Sequence, residues 1–145
     1  MEPIVRRGQD AVEIIHQKLQ LYNSRFLTDF SELCFCIEAQ DQILAGICAT
    51  RELDCVTVDY LFVEESYRGC GYGSRLLARI EQAARAEGAR RILLNTFSFQ
   101  APGFYQKHGY RLLAKLEPAL GTYGQYFFWK SLDLEQAPSG ILTVL

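Results

Sequence analysis

Apolar and polar positions alternate over several short stretches of this chain and recur at helical spacing over others, and the two periods divide it into elements. Residues 54–63 show the clearest two-residue period. Val56, Val58, Tyr60 and Phe62 point one way, and Cys55, Thr57, Asp59, Leu61 and Val63 point the other. An acid therefore stands on a largely apolar face. Residues 33–39 and 43–50 read as two more strands, joined into a hairpin by the polar turn Gln40-Asp41-Gln42. Gly46, inside the second of them, marks a close backbone approach or a bulge. The period changes to helical over 73–87. There Leu76, Leu77, Ile80, Ala83 and Ala84 fall inward, Arg75, Arg79, Gln82 and Arg85 fall outward, and Gly88 stops the run.

The flanks are read in the same way. Residues 3–7 predict a first strand, and Asp10 is placed to cap a helix on which Val12, Ile15, Leu19 and Leu21 recur, continuing to about Phe26. A strand over 90–96 leads to a short helix over 101–108, with Pro102 in its first turn and Gly109 ending it. Strands over 110–116 and 125–132 follow, with a loop from Glu117 to Gly124 between them. After Leu132 the character changes, with Gln136-Ala137-Pro138-Ser139-Gly140 resembling a linker and Ile141-Leu142-Thr143-Val144-Leu145 an apolar end. The expected organisation is one domain over 1–132 and a C-terminal tail over 133–145. That tail is compatible with disorder, with covering a sheet edge and with pairing to another subunit.

Composition narrows the function classes. The 145 residues are one domain's worth, and 49% are apolar, enough to fill a core. Charged residues make up 22% and the formal net charge is −2, so no broad electrostatic case exists for nucleic acid or an anionic membrane. No stretch approaches the roughly 20 apolar residues of a membrane span, and the N-terminus lacks a signal-peptide core, so a soluble, cytoplasmic protein is expected. Cys34, Cys36, Cys48, Cys55 and Cys70 form an odd set with no C-x-x-C pair, indicating neither a disulfide framework nor a zinc site. Cys34 and Cys36 share a strand face with apolar neighbours between them, which favours buried core thiols.

The segment Tyr67-Arg68-Gly69-Cys70-Gly71-Tyr72-Gly73-Ser74 lies between the 54–63 strand and the 73–87 helix. A glycine-rich turn there exposes main-chain N–H groups where the helix begins, a geometry suited to phosphate, and Arg68 adds a side-chain donor. Spacing decides among phosphate loops. A P-loop needs Lys and then Ser or Thr after its second glycine, but Ser74 occupies that glycine's place. The dinucleotide fingerprint G-x-G-x-x-G fails too, because Ser74 follows Gly69 and Gly71, and Leu76 follows Gly71 and Gly73. What remains, Arg68-x-x-Gly71-x-Gly73, resembles the pyrophosphate-binding Q/R-x-x-G-x-G/A motif of the GNAT superfamily, the acyl-CoA-dependent N-acetyltransferases.

A second segment, Ala101-Pro102-Gly103-Phe104-Tyr105-Gln106-Lys107-His108-Gly109-Tyr110, is similar to the later part of that family, where a tyrosine on a short helix precedes a Gly-aromatic step into a strand. Together the two segments carry the resemblance over roughly residues 43–116. The fold it implies is α/β of the α+β kind: a mixed, mostly antiparallel central sheet flanked by helices on both faces. It also implies acetyl-CoA as donor and no metal. Main-chain N–H groups of Gly69, Cys70, Gly71, Tyr72, Gly73 and Ser74 would hold the diphosphate, with Arg68 at its edge. Backbone groups of Leu61, Phe62 and Val63 would line the pantetheine arm, where this strand splays from the next. One of those N–H groups is suited to polarising the thioester carbonyl, an interaction worth about 3 kcal/mol when lost.

The implied chemistry is direct attack of an amine on that carbonyl, so a base is wanted. Asp59 is the first choice, because it precedes the pantetheine stretch and shares a face with Leu61 and Val63, where desolvation would raise its pKa. The competing reading is an acid hydrogen-bonded to a neighbouring strand or helix. Glu64 and Glu65 are alternatives that a solvated loop explains equally. Tyr105 matches the tyrosine that, in the family, protonates the leaving thiolate, and its competing reading is a core aromatic. His108 stands where a helix-terminal cation is favourable, and His16 suits a surface or substrate-lid position. One departure from the family pattern is Ser98, which stands seven residues before the tyrosine where similar proteins often have asparagine. Acceptor choice would fall to residues 20–32 and 117–126, where Tyr22, Phe26, Phe30, Tyr123 and Tyr126 suggest an aromatic-lined pocket or else core or dimer contacts. The leading expectation is an acetyl-CoA-dependent N-acetyltransferase acting on a primary amine, with a homodimer left open. Two other readings stand beside it: a non-catalytic CoA-binding regulatory module, and a transferase acting on aminoacyl-tRNA or a protein N-terminus.

Overall fold

A computed structural model describes residues 1–133. Strands β1 (Phe30–Ala39), β2 (Gln42–Glu52) and β3 (Cys55–Val63) form an antiparallel meander. Helix α2 (Tyr72–Ala86) then carries the chain over to β4 (Arg91–Phe97), which lies parallel to β3, as a helical crossover requires. Helix α3 (Pro102–Lys107), β5 (Arg111–Leu120) and β6 (Tyr123–Ser131) follow. The sheet order β1-β2-β3-β4-β6-β5 is mixed and mostly antiparallel, as the resemblance implies.

The arginine-free side of α2 seats Leu76, Leu77, Ile80 and Ala84 against Ile47, Val56, Ile92 and Phe128, all of them buried. Helix α3 adds Tyr105 to the same cluster, and Tyr110 follows it in. The two helices touch directly: a Cβ at Gly73 would come within 3.3 Å of the Phe104 ring, and Ser74 Oγ lies 3.0 Å from His108 Nε2. They therefore share one face of the sheet. Helix α1 (Val12–Asn23) buries none of its residues.

Several expectations need correction. Residues 3–7 form no strand, and Ile4 and Val5 are exposed. Two apolar residues between Pro3 and the pair Arg6-Arg7 offer too little surface to dock. Asp10 does not cap α1. Its carboxylate takes Arg6 at 2.9 Å, a short 3₁₀ turn spans Gln9–Ala11, and Ala11 stands at the cap without a side-chain bond. The segment 117–124 is no loop, since β5 and β6 run on to Leu120 and from Tyr123. Pro118 is tolerated because β5 is an edge strand whose register shifts between Leu116 and Leu120. Cys34 and Cys36 are exposed rather than buried. They do share a face, but it is the one turned away from α2. The expected linker and apolar end, 136–145, lie outside the described residues.

A single irregularity in β3 reorients its second half. Cys48 pairs with Tyr60 and Ala49 with Val58, so Asp59 is an extra, unpaired residue: a β-bulge. Gly46 stays in register opposite Cys36 and Phe62, and the bulge falls beyond it. Beyond the bulge the alternation inverts. Leu61 and Val63 now pack against the core with Val56 and Val58, whereas Tyr60 and Phe62 are exposed on the opposite face. The expected common face of Asp59, Leu61 and Val63 is thereby broken.

Candidate active site

Strands β3 and β4 pair only where Cys55–Thr57 meets Arg91–Leu93. Past that point they part, because the bulge at Asp59 bends β3 away, and a cleft of about 670 Å³ opens between them. Main-chain groups on the cleft side of β3 from Val58 onward thus lose a strand neighbour, which leaves them free for a ligand. Leu61, Phe62 and Val63 line this opening.

The glycine turn forms one wall. Gly69 and Gly71 hold φ of 81° and 82°, a left-handed conformation that a side chain strains, and Gly71 is the N-cap of α2. The N–H groups of the first turn, Tyr72 to Ser74, have no helical partner, and all three residues line the cleft. Arg68 Nε donates to the Val63 carbonyl at 3.1 Å, tying the turn to the end of β3 and leaving the terminal guanidinium nitrogens at the entrance. Gly69, Gly71 and Gly73 line the cleft together with Arg68, Tyr72 and Ser74, whereas Cys70 is exposed and does not. Tyr67 and Tyr72 stack at 6.1 Å across the turn.

Tyr105 reaches the cleft from α3 and is 8% exposed. It packs edge-on against Phe104 and Tyr110. Burial pushes its pKa up, which keeps it protonated. Asp59 also lines the cleft, but it is exposed rather than desolvated, and its carboxylate accepts a 2.9 Å hydrogen bond from Thr50. Glu64 and Glu65 are exposed at the start of the turn. His108 is held by Ser74, and His16 is exposed on α1.

Ser98 lies at the end of β4, outside the cleft. Its hydroxyl accepts from the Gly124 N–H at 3.0 Å and its own N–H donates to the Gly124 carbonyl at 2.9 Å, so it pins the β5–β6 hairpin to β4. Tyr22, Phe26 and Phe30 stay out of the cleft, while Tyr126 donates to Glu117. The residues that sequence reasoning missed are Asn95, Thr96, Phe99 and Gln100, which form the β4 side of the cleft. The Gln100 side-chain oxygen accepts from the Phe97 N–H at 2.8 Å and from the Thr96 hydroxyl at 3.0 Å, so the turn 97–100 is built as a fixed corner. The signal that could have found it is the pair Phe97 and Phe99 straddling a polar turn, since two aromatics there have no core to enter.

A sequence model described as the Acetyltransferase (GNAT) family matches residues 6–110. A blasticidin-S acetyltransferase from Streptomyces morookaense is 43% identical over 76 residues, which are 52% of this chain and 56% of that protein. The match therefore spans about half the length of that relative. A crystal structure of an acetyltransferase from Bacillus cereus shares 38% identity over 90% of this chain and 98% of its own, with a TM-score of 0.78. An aminoglycoside 6'-N-acetyltransferase complexed with coenzyme A shares the fold, at 17% identity and a TM-score of 0.62 over 94% of this chain and all of its own. With a split sheet, a glycine turn at a helix start and a matching family model over most of its length, the chain belongs to the GNAT acetyltransferase family.

Proposed function

We propose that this protein moves the acetyl group of acetyl-CoA to a primary amine by direct attack. The observation that carries the reading is the split between β3 and β4, with the Gly71 turn on one wall and Tyr105 on the other. The turn's N–H groups and Arg68 bind the diphosphate, and the opened edge of β3 takes the pantetheine arm as a strand would. This is consistent with the relative that was crystallised with coenzyme A. Asp59, its own carboxylate already held by Thr50, accepts the proton that the ammonium sheds. A main-chain N–H of the Leu61–Val63 stretch polarises the carbonyl. Tyr105, held protonated by its burial, returns a proton to the departing thiolate.

The relative named for blasticidin S supports a small-molecule acceptor. No helix among the described residues is long and apolar enough to cross a membrane, and the reading places the enzyme in the cytoplasm, working without a metal. It also includes a homodimer, supported by the apolar side chains that α1 leaves in solvent. The deciding test is a panel of primary amines incubated with acetyl-CoA while free thiol is followed. Amine-dependent thiol release is expected. Tight acetyl-CoA binding with no release above the blank for any amine would replace this reading with that of a regulatory CoA-binding module.

A further inference from the structure

The cleft has an aromatic rim on the sheet face turned away from α2. In β4 the buried Ile92, Leu94 and Thr96 face the helices, so Asn95 and Phe97 face the other way. Past the bulge in β3 the same holds for Tyr60 and Phe62, which are 72% and 55% exposed. Phe99 is 59% exposed and stacks on Phe97 at 5.4 Å with the rings only 10° from parallel, while Tyr123 meets its edge at 5.0 Å. Phe99 is therefore offered to solvent on a fixed mount rather than left loose. Gln100 holds the turn from one side and the Ser98–Gly124 pair holds it from the other. Asp59, next to Tyr60 on the β3 lip, supplies a carboxylate at the same opening.

A fixed, solvent-facing ring on one lip loses little conformational freedom when a ligand enters, and with exposed rings on the other lip it favours a flat π-face by offset or edge-on stacking. A nearby carboxylate favours a cation. Resting on the acetyl-transfer reading, we propose that the acceptor is a primary amine carried next to a flat ring. The ring lies between Phe99 on the β4 lip and Tyr60 and Phe62 on the β3 lip, and the ammonium is drawn to Asp59. Phe99 is the specificity residue, with Phe97 and Tyr123 holding its ring in place.

The test compares phenethylamine with 2-cyclohexylethylamine, which match in reach and closely in apolar bulk but differ in flatness. Stacking beyond area burial predicts a kcat/KM about threefold to tenfold higher for the flat amine. Phe99→Leu should bring that ratio close to one. Equal kcat/KM in the native enzyme, or a ratio that survives Phe99→Leu, overturns the proposal. If no amine is acetylated, the transfer reading falls, and saturation-transfer NMR of phenethylamine on the CoA-loaded protein judges the rim separately. A ring signal lost in Phe99→Leu upholds the rim, and no signal, or one unchanged by Phe99→Leu, overturns it.

Discussion

At the scale of single residues, the site is a set of side chains and amides whose properties come from where the backbone puts them. Tyr105 is buried, which raises its pKa above the ordinary value near 10, so loss of its proton cannot limit the rate at neutral or mildly alkaline pH. Tyr105→Phe should leave acetyl-CoA binding unchanged and lower kcat by about 10² to 10⁴. Stopped-flow rates beside calorimetric binding check this, and an unaltered kcat removes Tyr105 from the mechanism. Gly71 contributes through its backbone alone. A valine at its left-handed φ of 82° costs about 1–2 kcal/mol and misaligns the amides of the first turn, so Gly71→Val should lose acetyl-CoA affinity by far more than it loses stability. Calorimetry and a thermal melt on one sample separate the two effects. Cys48 shows the opposite use of environment. A hydrogen bond shared with Cys34 and partial burial push its thiol up to about 11. Only the thiolate is alkylated, so the rate at Cys48 should climb about tenfold per pH unit from pH 7 until it levels near that value. Peptide mass spectrometry at several pH values reads this directly, and a plateau below pH 9 contradicts it.

At the scale of elements, local signals were enough wherever a hydrophobic period was long. The α2 pattern was legible from Leu76 to Ala84 because one face is apolar and the other carries three arginines, and the glycine turn because positive φ needs glycine. The bulge at Asp59 was not legible. Nothing in Val58-Asp59-Tyr60 announces an extra residue, which exists only relative to the register of β2. The consequence reached the candidate site, because inverting the alternation put Tyr60 and Phe62 on the open face and left Asp59 exposed. The same dependence on partners hid the long β5–β6 hairpin, since only an edge position makes Pro118 acceptable in a strand. Arg51 is another case that the sequence could not show. It is 5% exposed at the end of β2 and reaches Asp29 at 2.9 Å, Glu87 at 3.1 Å and the Leu53 carbonyl at 2.7 Å, joining the approach to β1 with the end of α2. Arg51 holds the Asp29 pKa down, and the Ser31 hydroxyl followed by Arg51 does so for Glu87. A depressed carboxylate pKa contributes stability that is present above the unfolded value, near 4, and lost as pH falls through the folded one. The melting temperature of Arg51→Met should therefore fall below the native one at pH 7, and the gap should close as pH drops below about 4. A gap independent of pH would mean that Arg51 acts by packing alone.

At the scale of the whole molecule, the sheet and the two inner helices bury a continuous core, but α1 stands outside it. Val12, Ile15 and Leu19 recur along one side of that helix and are each more than half exposed. Water-facing apolar stripes of this kind are unusual on a monomer, because each side chain forgoes the free energy of leaving water. Since α2 and α3 already fill the core face, the stripe finds no partner among the described residues. The same stripe on a second copy is self-complementary about a two-fold axis, where Val12, Ile15 and Leu19 of each chain would interleave. The small net charge of −2 puts no large repulsion between two copies. Light scattering should then give twice the 16.5 kDa of a single chain. Paired Ile15→Glu and Leu19→Glu substitutions should return the mass to that of one chain. Because neither side chain enters the core, the substituted protein should keep its acetyl-CoA affinity, whereas loss of the fold would abolish both readouts together. A native mass of one chain at micromolar concentration would rule out the paired arrangement.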